Sequence, residues 1–218
     1  VILSGSDKDI FNNINSSTWK KDSKLKLITH HWSANLNKGY AVYKQLDDLI
    51  STKKWKDKIE FTYIGNISDE FNLLNTKIIS PKEGDELAKI LKDSHVYVTG
   101  SINEPSGNHH IEGAQCGLPI LFLDSGGTTE YCRDFGLGFT DDFELKLEQI
   151  IADYDLYRKK MDQYPLNSEI MSEEYLTLFK NLVDNRNVKN QKVNIKGRLF
   201  LLNQLNKKYF RIFKLFLK

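Results

Sequence analysis

Short apolar stretches alternate with longer amphipathic ones along most of this chain. Lys24-Leu-Lys-Leu-Ile-Thr-His30 alternates and then runs apolar, as a strand inside a sheet does. Over residues 38–54, Tyr40, Val42, Tyr43, Leu46, Leu49 and Ile50 fall on or near one side of a helix. Residues 59–64 predict a second strand, ended by Gly65-Asn66, and residues 76–79 a short third one. Residues 84–93 read as a helix with Leu87, Ile90 and Leu91 inward, and residues 95–100 as a fourth strand. A loop rich in Gly and Pro leads into a helix over about 108–116. The fifth strand, 118–123, carries Pro119 near its start, where a missing N–H is tolerated. A short helix over 128–133 and a last strand over 136–139 follow, and residues 143–161 and 168–183 are helical.

Strands alternating with helices predict an α/β fold: a Rossmann-like, doubly wound parallel sheet with a helical C-terminal extension. The expected organisation is a Rossmann-like domain over 1–165, a closing helix over 166–190 and a basic amphipathic tail over 191–218. In such sheets ligands sit beyond the carboxyl ends of the strands. The loops after His30, Gly65, Ile79, Gly100 and Leu123 are therefore the ones that matter.

Charge changes the picture at one end only. The net charge is +2, yet ten basic residues and no acidic one follow Asp184, so the preceding body is net acidic. An acidic body with a basic tail does not resemble a nucleic-acid-binding domain, and no nucleic acid is expected as a partner. Cys116 and Cys132 are not spaced as a metal knuckle and read as reduced buried thiols of a cytoplasmic protein. The opening Val1-Ile-Leu-Ser-Gly-Ser-Asp7 has no basic n-region and reads as the middle of a longer protein. Asn15-Ser-Ser17 and Asn66-Ile-Ser68 match glycosylation acceptors, here by chance.

The most informative segment is Glu104-Pro-Ser-Gly-Asn-His-His-Ile-Glu112, running on through Gly113-Ala-Gln-Cys-Gly-Leu-Pro119. Glu104 sits in the loop and Glu112 inside the helix, with the helix N-terminus between them near Gly107-Asn108. Free amides and the positive dipole end make such a terminus a phosphate site, and Gly107 lets the backbone come close. Glu112 lies roughly 6–8 Å past that terminus. One carboxylate can then hold a sugar and the other a ribose across a diphosphate, since carboxylates accept from paired hydroxyls.

These residues resemble the signature of retaining glycosyltransferases of family 4, which have two facing Rossmann-like domains in the GT-B architecture. The resemblance extends to Leu123-Asp-Ser-Gly-Gly-Thr-Thr-Glu130, similar to the family's Gly-rich turn, to Asn37-Lys38-Gly39, similar to its Lys-Gly after the first strand, and to the opening Ser4-Gly-Ser-Asp-Lys-Asp-Ile-Phe11. It covers about residues 1–165 and implies the donor-binding half of the enzyme. It implies that Glu112 bonds the donor ribose, that Glu104 lies by the transferred sugar, and that Ser106, Gly107 and Asn108 donate to sugar and phosphate. Lys38 is implied to neutralise the departing diphosphate, Ile79 to line the base pocket, and Thr128, Thr129 and Glu130 to lie near the distal end of the site. The family's arginine before the Lys-Gly is missing. Its place is near Ser33, and Ser33, Asn35 or a charged His31 are the expected substitutes.

Transfer builds positive charge on the sugar and negative charge on the phosphate, which Lys38 and the helix terminus would stabilise. The resemblance implies retention by front-face attack, with Glu104 orienting the sugar, and no metal or other cofactor. His30-His31 and His109-His110 do not read as metal ligands, because neighbours in a strand point to opposite faces and neighbours on a helix lie about 100° apart. A donor-pocket role is expected for His31 or His109. Trp32, alone among three tryptophans, follows the first strand into the site. The expected partners are a nucleotide sugar and an acceptor-binding domain preceding Val1, without which transfer is weak or absent. Residues 197–218 are basic and aromatic-rich, and either pack on that domain or lie on an anionic membrane surface, which would make the protein peripheral on the inner face. Two rival readings are a non-catalytic nucleotide- or partner-binding module and a sugar-nucleotide epimerase. A nicotinamide site is disfavoured, because no Gly-x-Gly-x-x-Gly follows the first strand.

Overall fold

Six strands form one parallel sheet in the order β3-β2-β1-β4-β5-β6 in a computed structural model that describes residues 1–68 and 70–184. The strands are β1 Leu25–His31, β2 Ile59–Gly65, β3 Lys77–Ile79, β4 Val96–Thr99, β5 Ile120–Leu123 and β6 Gly136–Phe139. The helices are α1 Tyr40–Ser51, α2 Gly84–Lys92, α3 Asn108–Gln115, α4 Thr128–Cys132, α5 Phe143–Ala152, α6 Tyr154–Lys160 and α7 Ser168–Asp184. Every strand expected from the hydrophobic pattern is present.

Side-chain alternation divides the core in two. Leu25 and Leu27 of β1, Phe61 and Tyr63 of β2, and Val96 and Val98 of β4 pack with Tyr40, Tyr43 and Leu46 of α1 and Phe143, Leu147 and Ile150 of α5. Ile28, Ile64, Tyr97 and Ile120, one position out of step, pack with Leu87 and Leu91 of α2, Ile111 and Ala114 of α3 and Tyr131 of α4. Helices therefore cover both faces, as the near-continuous apolar strands require.

The one helix expected over 143–161 is instead two. The chain leaves helical geometry at Asp153, with φ −103° and ψ 19°, and restarts at Tyr154. That bend lets the Tyr154 ring join the α1 side of the core, where its hydroxyl accepts from the Trp19 backbone N–H at 3.2 Å. Buried Asp47 of α1 accepts from the backbone N–H of Leu74 (3.0 Å) and Asn75 (2.8 Å) and from Thr76 Oγ1 (2.6 Å), fastening the β2–β3 connection to the helix.

The chain divides into units Val1–Glu173 and Glu174–Lys218, so α7 starts in the first and ends in the second. Within the second, the Tyr175 and Phe179 rings lie 6.1 Å apart. The expected tail, 191–218, lies outside the described residues. Among the described residues no helix is long and apolar enough to cross a membrane.

Candidate functional site

Strand order reverses between β1 and β4, and the loops leaving their carboxyl ends diverge there to leave a crevice. The loop after β1 forms a short 3-10 turn, Leu36–Lys38, then enters α1 through Gly39. Asn35 caps that turn, its side chain accepting from Asn37 N at 2.9 Å. Gly39 has φ +90°, and a Cβ there would meet the Gly100 carbonyl oxygen at 2.2 Å. Glycine is what lets the two loops approach. Ile102 N donates to Asn37 O at 2.7 Å and ties them together.

A cleft of about 400 Å³ lies between these loops, lined by His30, His31, Trp32, Ser33, Lys38, Glu104, Ser106, Gly107, Asn108, His109 and Glu112. The structure thus brings Lys38, Ser33, both glutamates and the Ser106–His109 turn to one place. Gly107 starts α3, and no side chain caps the helix, so its first amides face the cleft without a competing acceptor from a cap. A Cβ on Gly107 would meet the His109 ring at 2.4 Å.

Both carboxylates already have partners. Lys38 Nζ lies 2.7 Å from Glu104 Oε2, and His30 Nε2 lies 2.8 Å from Glu112 Oε2. The Tyr97 hydroxyl accepts from the His30 backbone N–H at 3.1 Å and lies 3.2 Å from His30 Nδ1. A carboxylate can only accept, so the hydrogen bond to Glu112 requires the proton on His30 Nε2. Ser106 Oγ is held by Ser4 Oγ at 2.7 Å and by the Tyr131 hydroxyl at 3.0 Å, which leaves its backbone as the free donor.

Four histidine rings lie close together. His31 and His109 are 4.7 Å apart between centroids, and His109 and His110 are 4.9 Å apart. Burial, followed by neighbouring positive groups, holds His31 and His109 well below the usual imidazole range and lowers His110 to about 3. Burial raises the Tyr43 phenol to about 12, and its neutral hydroxyl lies within hydrogen-bond distance of His31 Nε2, at 2.6 Å. Burial thus disfavours the charged form of His31 expected in place of the missing arginine, and Lys38 is the one Lys or Arg among the described residues lining the cleft. No group of three or more His, Cys, Asp and Glu suited to a metal ion occurs among the described residues.

The remaining expected residues lie apart from this cleft's lining. Asn35 faces its own turn, and Ile79 packs with the α2–α3 side of the core. Thr128 is buried within α4, and Glu130 is exposed on it. The Gly-rich turn does reach the loop that carries Glu104: Gly127 N donates to Glu104 O at 2.8 Å, and Asn103 N to Ser125 Oγ at 2.9 Å. It supports Glu104 from behind. His30 was missed in the sequence, where the pocket role went to His31 or His109. Its signal was the strand period: His30 shares a face with Ile28, which packs beside Ile111 of α3.

Comparison with known proteins agrees with this architecture. A sucrose-phosphate synthase from Thermosynechococcus elongatus is similar with a TM-score of 0.63 and 18% identity, over 84% of this chain and 52% of that one. A glycosyltransferase from Rickettsia africae gives 0.63 and 18%, over 85% and 57%, and TarM gives 0.57 and 19%, over 78% and 37%. At such identity the likeness is one of fold, the Rossmann-like fold of GT-B glycosyltransferase domains, and this chain spans about half the length of the first two. No curated protein sequence matches. The family described as "Glycosyl transferases group 1" matches residues 56–164, which takes in Glu104 and Glu112 but begins after Lys38. That match spans half of the chain, and the chain belongs to the glycosyl transferases group 1 family.

Proposed function

We propose that this chain is the donor-binding half of a retaining glycosyltransferase of family 4 that uses a nucleoside-diphosphate sugar. The observation that carries this reading is the meeting of Lys38, Glu104 and Glu112 around the open N-terminus of α3 in one cleft. A diphosphate fits between the glutamates, against the amides of Gly107 and Asn108 and the Lys38 ammonium. Glu112 accepts from the ribose hydroxyls and Glu104 from those of the sugar. Lys38 must exchange Glu104 for phosphate as the donor enters, which moves a cation onto the atoms that gain negative charge when the glycosidic bond breaks. With that charge met by Lys38 and the helix terminus, the reaction requires no metal. Glu104 orients the sugar, and the leaving phosphate takes the acceptor's proton during front-face attack.

The acceptor is supplied by a second, facing domain, so this chain alone binds donor and transfers little. Isothermal titration with uridine, guanosine and adenosine diphosphates tests the reading. Affinity in the micromolar to millimolar range is expected for at least one of them, to be lost by tenfold or more in Lys38→Ala. A folded chain that binds none of them would refute it.

A further inference from the structure

Beyond the cleft lies a shallow recess lined by Ile64, Pro81 and Lys82 together with His30, His31 and Trp32, which line both. The two hollows differ in chemistry. The cleft holds Lys38, Glu104 and Glu112, whereas the recess offers an indole, a proline and an aliphatic side chain, with Lys82 at its edge and no carboxylate. A nucleotide has the same asymmetry, with an anionic end and a planar base whose faces are apolar. The joint between the hollows is His30, which touches Glu112 at 2.8 Å and lines the recess. From a ribose held by Glu112, Trp32 is within the same continuous lining.

Trp32 is unlike the other two tryptophans. Trp55 is 2% exposed and donates its indole N–H to Glu144, and the Trp19 indole N–H goes to Ser23 O. Trp32 is 62% exposed, and among the described residues its ring has no aromatic partner and its indole N–H no acceptor. Its backbone, by contrast, is fixed. Asn66 Nδ2 donates to Trp32 O at 2.6 Å, and Asn66 O in turn accepts from the Tyr40 and Tyr63 hydroxyls at 2.9 and 3.1 Å. A large apolar ring left in water on an anchored backbone, beside a polar cleft, is organised to stack on a ligand.

We propose that Trp32 is the stacking platform for the donor's nucleobase and sets the affinity for the nucleoside part of the donor. This rests on the donor-site reading above. Stacking on an aromatic side chain tolerates any base, so Trp32 supplies affinity, and the edge of the base is left to Lys82 and the backbone of the recess.

The test measures binding of uridine, guanosine and adenosine diphosphates to the full chain, with inorganic pyrophosphate as competitor, for wild type, Trp32→Ala and Trp32→Phe. Because the ring is exposed, both variants are expected to fold, which circular dichroism checks. Trp32→Ala should weaken the preferred nucleoside diphosphate about tenfold or more and leave pyrophosphate within about twofold, while Trp32→Phe stays within about threefold of wild type. Equal losses for nucleotide and pyrophosphate in Trp32→Ala, or no loss for either, would overturn the platform while leaving the donor site standing. Wild type that binds pyrophosphate but no nucleoside diphosphate would overturn both.

Discussion

In the cleft, Lys38 and Glu104 neutralise each other at 2.7 Å, and this pairing gives the two residues opposite mutational signs. Glu104→Gln removes the group that competes with phosphate for Lys38. It should tighten pyrophosphate and nucleoside-diphosphate binding severalfold and, on the proposed function, abolish transfer once the chain is joined to an acceptor-binding domain. Titration calorimetry and a transfer assay check the pair of outcomes. Gly107→Ala drives a methyl into the buried His109 ring, so nucleotide binding and melting temperature should fall together, read by titration calorimetry and thermal unfolding. Gly39→Ala, at φ +90° and against the Gly100 carbonyl, should cost about 2 kcal/mol or more, read by urea unfolding. Lys38, Glu104 and Glu112 were legible in the sequence because each lies in a local motif whose spacing fixes its place relative to a strand end or helix start. Asn35, Ile79, Thr128 and Glu130 were placed by order along the chain alone, which says which loop a residue belongs to and not how deep its side chain points. Thr128 shows the difference, since it stands next to the right turn and is buried in α4. His30 needed the opposite information, the face of its strand.

At the scale of elements, the two loops of the cleft rest on buried imidazoles that are kept neutral. His31 lies at the end of β1 and His109 in the first turn of α3. His95 precedes β4, where its Nδ1 accepts from Lys26 N at 3.0 Å and burial lowers it to about 4. His110 is lowered to about 3, and both its ring nitrogens are buried without a partner. An unfolded histidine binds a proton near pH 6.5 and these do not, so the unfolded state holds more protons and stability falls as pH drops. The contribution is whole above pH 6.5 and is lost through the interval down to about 4 for His95 and 3 for His110. Asp47 acts in the same direction at lower pH: burial opposes its charge, yet the hydrogen bonds from Thr76, Asn75 and Leu74 prevail and lower it. The melting temperature is therefore expected to drop by several degrees between pH 7 and pH 5, and His110→Phe, which keeps a ring in that space, should flatten the drop. The order and type of elements were legible because apolar strands and amphipathic helices have different periods. The break at Asp153 was not: no Gly or Pro interrupts residues 143–161, and the chain turns at an Asp that caps both helices, where Tyr154 enters the core.

For the molecule as a whole, strand order matters more than any one element. The cleft takes His30, Trp32 and Lys38 from the chain before β2, and Glu104 to Glu112 from the chain after β4. The parallel sheet was legible from alternation of strands and helices, but the 3-2-1-4-5-6 order was not. Which strand sits beside which is settled by pairing across the sheet, and a linear pattern carries no trace of it. The basic residues 197–218 make a prediction at this scale: if they attach the protein to anionic vesicles, deleting them should abolish flotation while leaving nucleotide affinity unchanged. The reversal between β1 and β4 has a further result. On the proposed function, a bound nucleotide would hold together two stretches far apart along the chain, like a clasp across a seam. Such a ligand has nothing to grip until β1 and β4 are side by side, so its whole binding energy is added to the assembled state. Saturating nucleotide should therefore slow amide exchange on both sides of the seam together, in β1 and β4, and do so far less in β6, which takes no part in the cleft.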